Sequence, residues 1–182
     1  MLFRSVEFRS ATTSAWTACG RVKSTRIEWE GVAAHRVCEA VLRPLAAGSE
    51  VEYRVKLDDQ IMHTATARTR CAASQPFRCV VVGDCGTGSE PQKKIADQIF
   101  RRQPAFMFVP GDLVYNHGRI SEYRSSFYPV YTAAKSSPQV GAPLMESTVI
   151  LGARGQHDTQ SSLSEHPDGH AYFLYWSFPL KG

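Results

Sequence analysis

Two kinds of hydrophobic pattern divide this chain, and they meet near residues 71–76. Upstream, apolar and polar residues alternate over short stretches: Val6-Glu7-Phe8, Ala15-Trp16-Thr17, Arg26-Ile27-Glu28-Trp29, residues 35–42 and residues 50–57. β-branched and aromatic residues at a period of two predict strands. Turn-forming residues punctuate them, from Pro44 to Gly48 and at Asp58-Asp59. In Val51-Glu52-Tyr53-Arg54-Val55 one face is apolar and the other charged, the signature of an antiparallel sheet with one wet face. Strands this short and this evenly spaced suggest a β-sandwich.

Downstream the pattern becomes strand, loop, helix. Cys79-Val80-Val81-Val82 is a compact apolar run of the kind that forms a buried parallel strand. Gly83-Asp84-Cys85-Gly86-Thr87-Gly88 follows, and Ser89-Glu90-Pro91-Gln92 fits a capping box, with Ser as N-cap and Gln three residues on. Ile95, Ala96, Ile99 and Phe100 recur at helical spacing, Arg101-Arg102 suit the C-terminal end of the dipole, and Gln103 before Pro104 marks the stop. A second unit repeats the plan. The strand Ala105-Phe106-Met107-Phe108-Val109 ends in Pro110-Gly111-Asp112. A helical stripe of Ile120, Tyr123, Phe127 and Tyr131 comes next, disturbed by Pro129. A third strand, Thr148-Val149-Ile150-Leu151, leads into Gly152-Ala153-Arg154-Gly155-Gln156-His157-Asp158. Alternating strands and helices imply parallel βαβ units, so the expected fold is α/β preceded by an all-β region.

Composition narrows the function. The 182 residues carry 43% hydrophobic and 21% charged residues, an ordinary globular balance. The net charge of +4 is spread along the chain, whereas a nucleic-acid binder concentrates its basic residues in a stripe, so no nucleic-acid partner is expected. No apolar run is long enough for a membrane span, and residues 1–10 lack the apolar core of a signal peptide. The five cysteines form no C-x-x-C pair and their odd number excludes complete pairing within one chain; free thiols are expected.

The chemistry lies where the strands end. In open parallel sheets, ligands bind beyond the carboxyl ends of the strands. Asp84, Asp112 and His157-Asp158 each follow an apolar strand, so all are expected on one edge of the sheet. Carboxylates brought close together repel unless a proton or a cation intervenes, and oxygen ligands suit Mg, Mn and Fe, while Zn accepts mixed oxygen and nitrogen sets. Two metals bridged by one Asp would clamp and polarise a phosphate ester and activate water near neutral pH.

The series Gly83-Asp84-Cys85-Gly86, Gly111-Asp112-Leu113-Val114-Tyr115 and Gly155-Gln156-His157-Asp158 resembles the GDxG, GDxxY and GNH[ED] series of purple acid phosphatases. These belong to the calcineurin-like metallophosphoesterase superfamily. Other members open with DxH; here Gly86 stands at that His and Tyr115 is the expected replacement ligand. Residues 35–37, 42–45 and 48–55 are similar to the end of the fibronectin-type-III-like domain that precedes the catalytic domain in that family. The resemblance thus implies two domains, a fibronectin-type-III-like β-sandwich at 1–74, incomplete at its start, and the first part of a metallophosphoesterase domain at 77–182. It implies a phosphate-ester substrate and two metal ions, Fe with Zn, Mn or Fe. Asp84 would bind the first metal, Asp112 would bridge both, and Tyr115 would bind the first as a phenolate, the source of purple colour with Fe(III). Gln156 would bind the second metal, and His157 would sit over the phosphate, stabilising charge or protonating the leaving group. The resemblance further suggests a secreted or periplasmic protein.

Gln156 stands where the family has Asn, which shifts the amide oxygen by one methylene. After His157 neither of the family's further histidine motifs, VxxH and GHxH, occurs; Gly169-His170-Ala171-Tyr172 begins like the second but lacks its last His. The chain therefore reads as a fragment or a truncated product, inactive alone, with an unpaired sheet edge and an exposed apolar face. His166 and His170 read as loop residues and His117 as a turn residue beside Gly118 with a local case for touching substrate, while His35 and His63 read as non-catalytic. Cys85 has no evident base or cation to activate it. Two other functions stay open: a non-catalytic remnant with a degenerate metal site, and a nucleotide-binding domain using residues 83–88 as a phosphate loop. The G-x-x-G-x-G spacing argues against the latter.

Overall fold

A computed structural model of the chain describes residues 4–177. More of it is strand than helix, in a mixed arrangement of sheets and helices. The first half is antiparallel. Strands β1 (Arg4–Ser10), β2 (Thr17–Ala18), β5 (Glu50–Leu57) and β6 (Gln60–Arg68) form a sheet in the order β2-β1-β5-β6, and β3 (Lys23–Trp29) pairs with β4 (Val32–Glu39) as a separate hairpin. The alternation read at 51–55 is realised in β5. Val51 is buried on one face, while on the other Arg54 pairs with Glu7 and Glu52 with Arg9. Both guanidinium groups also lie over the Trp16 ring, at 4.5 and 4.1 Å, so the wet face is a ladder of charges around one aromatic.

Two boundaries and one strand differ from the sequence reading. The second strand is centred on Thr17-Ala18, and β4 begins at Val32 and ends at Glu39. Strand β6 carried no clear apolar signal: Ile61 and Met62 are exposed, and the rest of QIMHTATAR is small or polar. It forms because the Asp58-Asp59 turn, with Asp58 in a left-handed conformation, folds it back on β5 over its whole length.

The second half contains the parallel sheet. Strands β7 (Cys79–Val81), β8 (Phe106–Val109) and β9 (Val149–Gly152) lie side by side in that order. Helix α1 (Glu90–Arg101) connects the first two. Its N-cap is Ser89, but the reciprocal capping box does not form. The Ser89 hydroxyl accepts a hydrogen bond from Thr87, and the Gln92 amide oxygen takes the Gly88 N–H at 2.6 Å instead. Between β8 and β9, α2 (Ile120–Glu122), a π-helical segment (Tyr123–Phe127) and α3 (Tyr128–Tyr131) run on without a break, followed by α4 (Leu144–Ser147). Pro129 has no N–H for the preceding turn, and the wider π spacing accommodates it. Ile120, Tyr123, Phe127 and Tyr131 are all fully buried, so the stripe is core packing.

The main core lies on one side of the parallel sheet. Met107 and Val109 of β8 are fully buried there, with Val80, Val82 and Ile150 packed beside them against α1 and the helical segment. The hairpin β3–β4 feeds this same core through Ile27, and His35 donates or accepts a 2.9 Å hydrogen bond with the hydroxyl of Tyr175 on α5 (Tyr172–Tyr175). Phe8 and Val51 of the larger sheet are buried outside it. The opposite face of the parallel sheet is bare: Val81 is 63% exposed, Val149 and Leu151 each 45%.

Candidate metal centre

The loops after the three parallel strands meet at one sheet edge. The Asp84 N–H donates to the Gly111 carbonyl at 3.4 Å, and the Cys85 N–H to the Asp112 carbonyl at 3.3 Å, joining the first loop to the second. The His157 N–H donates to Asp112 Oδ1 at 3.0 Å, joining the second to the third. Contact is close enough to exclude side chains. A Cβ on Gly86 would lie 1.7 Å from the Leu113 carbonyl oxygen, and one on Gly155 would lie 2.2 Å from both the Asp112 nitrogen and its Oδ1. These glycines are sites of close backbone approach, which explains their place in the sequence series.

Asp158 organises the junction. It is fully buried, and its carboxylate accepts N–H groups from Leu113 at 3.1 Å, Val114 at 3.3 Å and Gly155 at 2.7 Å. Burial raises its carboxyl above the ordinary value, and those three donors oppose the rise. The sequence series contains Asp158, yet the reading assigned it no task. The signal available was a carboxylate in the glycine-rich stretch 152–158, a tight loop whose amides need an acceptor.

Around this frame the sequence-derived residues divide. Asp84 and Asp112 both adopt left-handed backbone conformations at φ 53°, a strained state that Asp tolerates better than most residues and that turns the chain sharply off each strand. The Tyr115 hydroxyl donates to Asp84 Oδ1 at 2.5 Å. Burial, then the Asp84 hydrogen bond, then the Asp84 and Asp112 charges push the phenol well above its ordinary range. The His157 ring lies 4.8 Å from the Tyr115 ring, and its Nδ1 is 3.3 Å from the Asn116 carbonyl. Asp84, Asp112, Tyr115 and His157 thus come together. Gln156 does not join them through any side-chain hydrogen bond among the described residues; it is exposed, and only its carbonyl is engaged, by the Thr159 N–H at 3.2 Å.

The electrostatics are lopsided. The other two buried aspartates each have an arginine, Asp97 with Arg101 at 2.9 Å and Asp168 with Arg119 at 2.8 Å. Among the described residues neither Asp84 nor Asp112 has a cationic partner, and no three His, Cys, Asp or Glu side chains converge. Two neighbouring carboxylates and a phenol without a counter-charge form an oxygen-rich set that suits a hard cation. Cys85, beside Asp84, is buried, which pushes its thiol up to about 11, so it is a packing residue and no nucleophile. His35 and His63 lie away from this edge, the first on Tyr175 and the second 4.0 Å from Glu146. All five cysteines are free thiols.

No family model matches the chain, and no curated protein matches it. Among the described residues no helix is long and apolar enough to cross a membrane.

Proposed function

We propose that residues 77–182 carry part of a metal-dependent phosphoric-ester hydrolase of purple-acid-phosphatase type, behind a fibronectin-type-III-like β region. The supporting observation is the pair Asp84 and Asp112, held at the carboxyl edge of a parallel sheet with Tyr115 against Asp84 and, among the described residues, no cationic side chain to balance them. In this reading Asp84, Asp112 and Tyr115 would hold iron, Asp112 with Gln156 would hold a second ion of Zn, Mn or Fe, and the substrate would be a phosphate ester. The metals would polarise the phosphate and lower the pKa of water. The chain's own parts do the rest. Asp158 fixes the third loop to the second, backbone bonds from Asp84 and Cys85 join the first, and the His157 backbone N–H orients Asp112. The half-exposed His157 imidazole, tilted at 49° against the Tyr115 ring with its Nδ1 3.3 Å from the Asn116 carbonyl, would donate a proton to a leaving oxygen.

Calorimetric titration with Mn2+ tests the reading. Asp112→Asn is expected to weaken binding at least tenfold, because removing one anionic ligand removes both charge and an oxygen of the right hardness. Equal binding by the two proteins would refute the assignment. A second reading, a binding module with a degenerate site, is favoured by one observation, the exposed Gln156 amide. It predicts at most one Mn2+ per chain with an affinity that Gln156→Ala leaves unchanged, whereas the first reading predicts that this substitution weakens a second site.

A further inference from the structure

His117 and His166 belong to two different loops, yet their rings stand 4.4 Å apart, centre to centre, at an interplanar angle of 38°. His117 is exposed and His166 half-exposed. The rings of His35, His157 and His170 each engage a protein hydrogen-bond partner, at 2.9, 3.3 and 3.1 Å. Among the described residues the His117 and His166 rings engage none, so their nitrogens are free.

We propose that this pair is a chelating site for a first-row transition-metal dication of the Cu2+ or Ni2+ type, separate from the carboxylate centre. Metal–imidazole bonds are about 2.0–2.1 Å, which puts each ring centre about 3.2 Å from the ion. Two rings at a right angle about the ion then have centres about 4.5 Å apart, against about 5.2 Å for a tetrahedral angle. The observed 4.4 Å fits adjacent positions of a square-planar or octahedral ion, the geometries of Cu(II) and Ni(II), better than tetrahedral zinc. Solvent completes the coordination.

The backbone that carries the pair is held in place before any ion arrives. The His117 carbonyl accepts the Ser161 hydroxyl at 2.9 Å, and its N–H is bound to Glu122 at 3.0 Å. The His166 N–H and carbonyl are both engaged, with Ser162 at 2.9 Å and Gly169 at 2.8 Å. The Arg119–Asp168 ion pair and the Ala171 N–H on the Gly118 carbonyl, both at 2.8 Å, stitch one loop to the other. Such support limits the ordering cost of binding.

The test is calorimetric titration of the untagged chain with Ni2+. In the Asp84→Asn, Asp112→Asn background, which removes the carboxylate centre, we expect one Ni2+ site per chain, weakened at least tenfold when His117→Ala, His166→Ala or His166→Gln is added, as expected when a chelate loses one arm. The unmodified chain is expected to keep this site at the same affinity, in addition to whatever Ni2+ the carboxylate centre takes up. Unchanged affinity in the histidine variants, or loss of the site in the carboxylate variant, overturns the proposal. The unmodified chain gives a check that no misfolded variant can confuse. Electron paramagnetic resonance of bound Cu2+ is expected to show coupling to two imidazole nitrogens, and coupling to one or none overturns it.

Discussion

At the scale of single residues, the candidate centre is built as much by absent side chains as by present ones. Gly155 lets the third loop lie against Asp112, where any Cβ would strike both the backbone nitrogen and the carboxylate at 2.2 Å. Gly155→Ala is therefore expected to cost about 1–3 kcal/mol, the usual range for overpacking, and to displace the Asp112 carboxylate. Thermal unfolding together with Mn2+ titration checks both effects; a variant with native stability and native affinity would mean that the loops are looser than described. The reactive-type residues were legible in the sequence because each Asp or His sits directly after an apolar run. Asp158 was placed at the same edge, but its task was not legible, since the second-loop amides of Leu113 and Val114 that it collects reach it only once the loops are packed together. The free nitrogens of His117 and His166 were equally hidden, because the two residues become neighbours only once both loops are folded.

At the scale of elements, helix α1 is fixed at both ends by polar contacts that its apolar stripe does not announce. Gln92 holds the loop after β7 at its start. Near its end the buried Asp97 accepts hydrogen bonds from Arg101 at 2.9 Å and from the Ser136 hydroxyl at 2.6 Å. Those two hydrogen bonds, Arg101 first, hold the Asp97 carboxyl below its ordinary value. A carboxyl lowered by folding stabilises the native state at pH above its unfolded value, about 4, and that contribution is lost as pH falls through the folded value. Asp97→Asn is thus expected to lower Tm at neutral pH and to make Tm fall less steeply from about pH 5 downward. An unchanged acid limb in unfolding scans would show that Asp97 is not coupled to folding. The parallel strands and α1 were readable because their apolar runs and helical spacing are strong. Strand β6 was not, because its place is set by the turn and by pairing with β5 rather than by its own hydrophobicity.

At the scale of the whole molecule, the described residues cover the parallel sheet on one face only. Parallel sheets are usually covered on both. Here Phe77, Phe106, Val149 and Leu151 line an open hollow of about 340 Å³ on the bare side. The two faces should respond oppositely to substitution. Met107→Ala, on the covered face and fully buried, is expected to cost about 2–5 kcal/mol. Leu151→Thr, on the bare face, is expected to change stability by under about 0.5 kcal/mol while reducing binding of an apolar dye. Denaturant unfolding and dye fluorescence distinguish the faces, and a large loss of stability in Leu151→Thr would show that something covers that side. The exposed apolar face was foreseen from the sequence. That the hairpin β3–β4 would lend Ile27 to the core of the other half, and His35 a hydrogen bond to Tyr175, was not, since an exposed two-stranded ribbon carries no mark of the surface it will pack on. What this architecture delivers to one edge is Asp84, Asp112 and Tyr115, and their joint ability to hold a metal is the central claim. The most direct measurement is the visible spectrum of the chain titrated with Fe(III), alone and as Tyr115→Phe. The account predicts a phenolate-to-iron charge-transfer band in the unmodified chain that is absent from Tyr115→Phe. No band, or a band that survives the substitution unchanged, would contradict it.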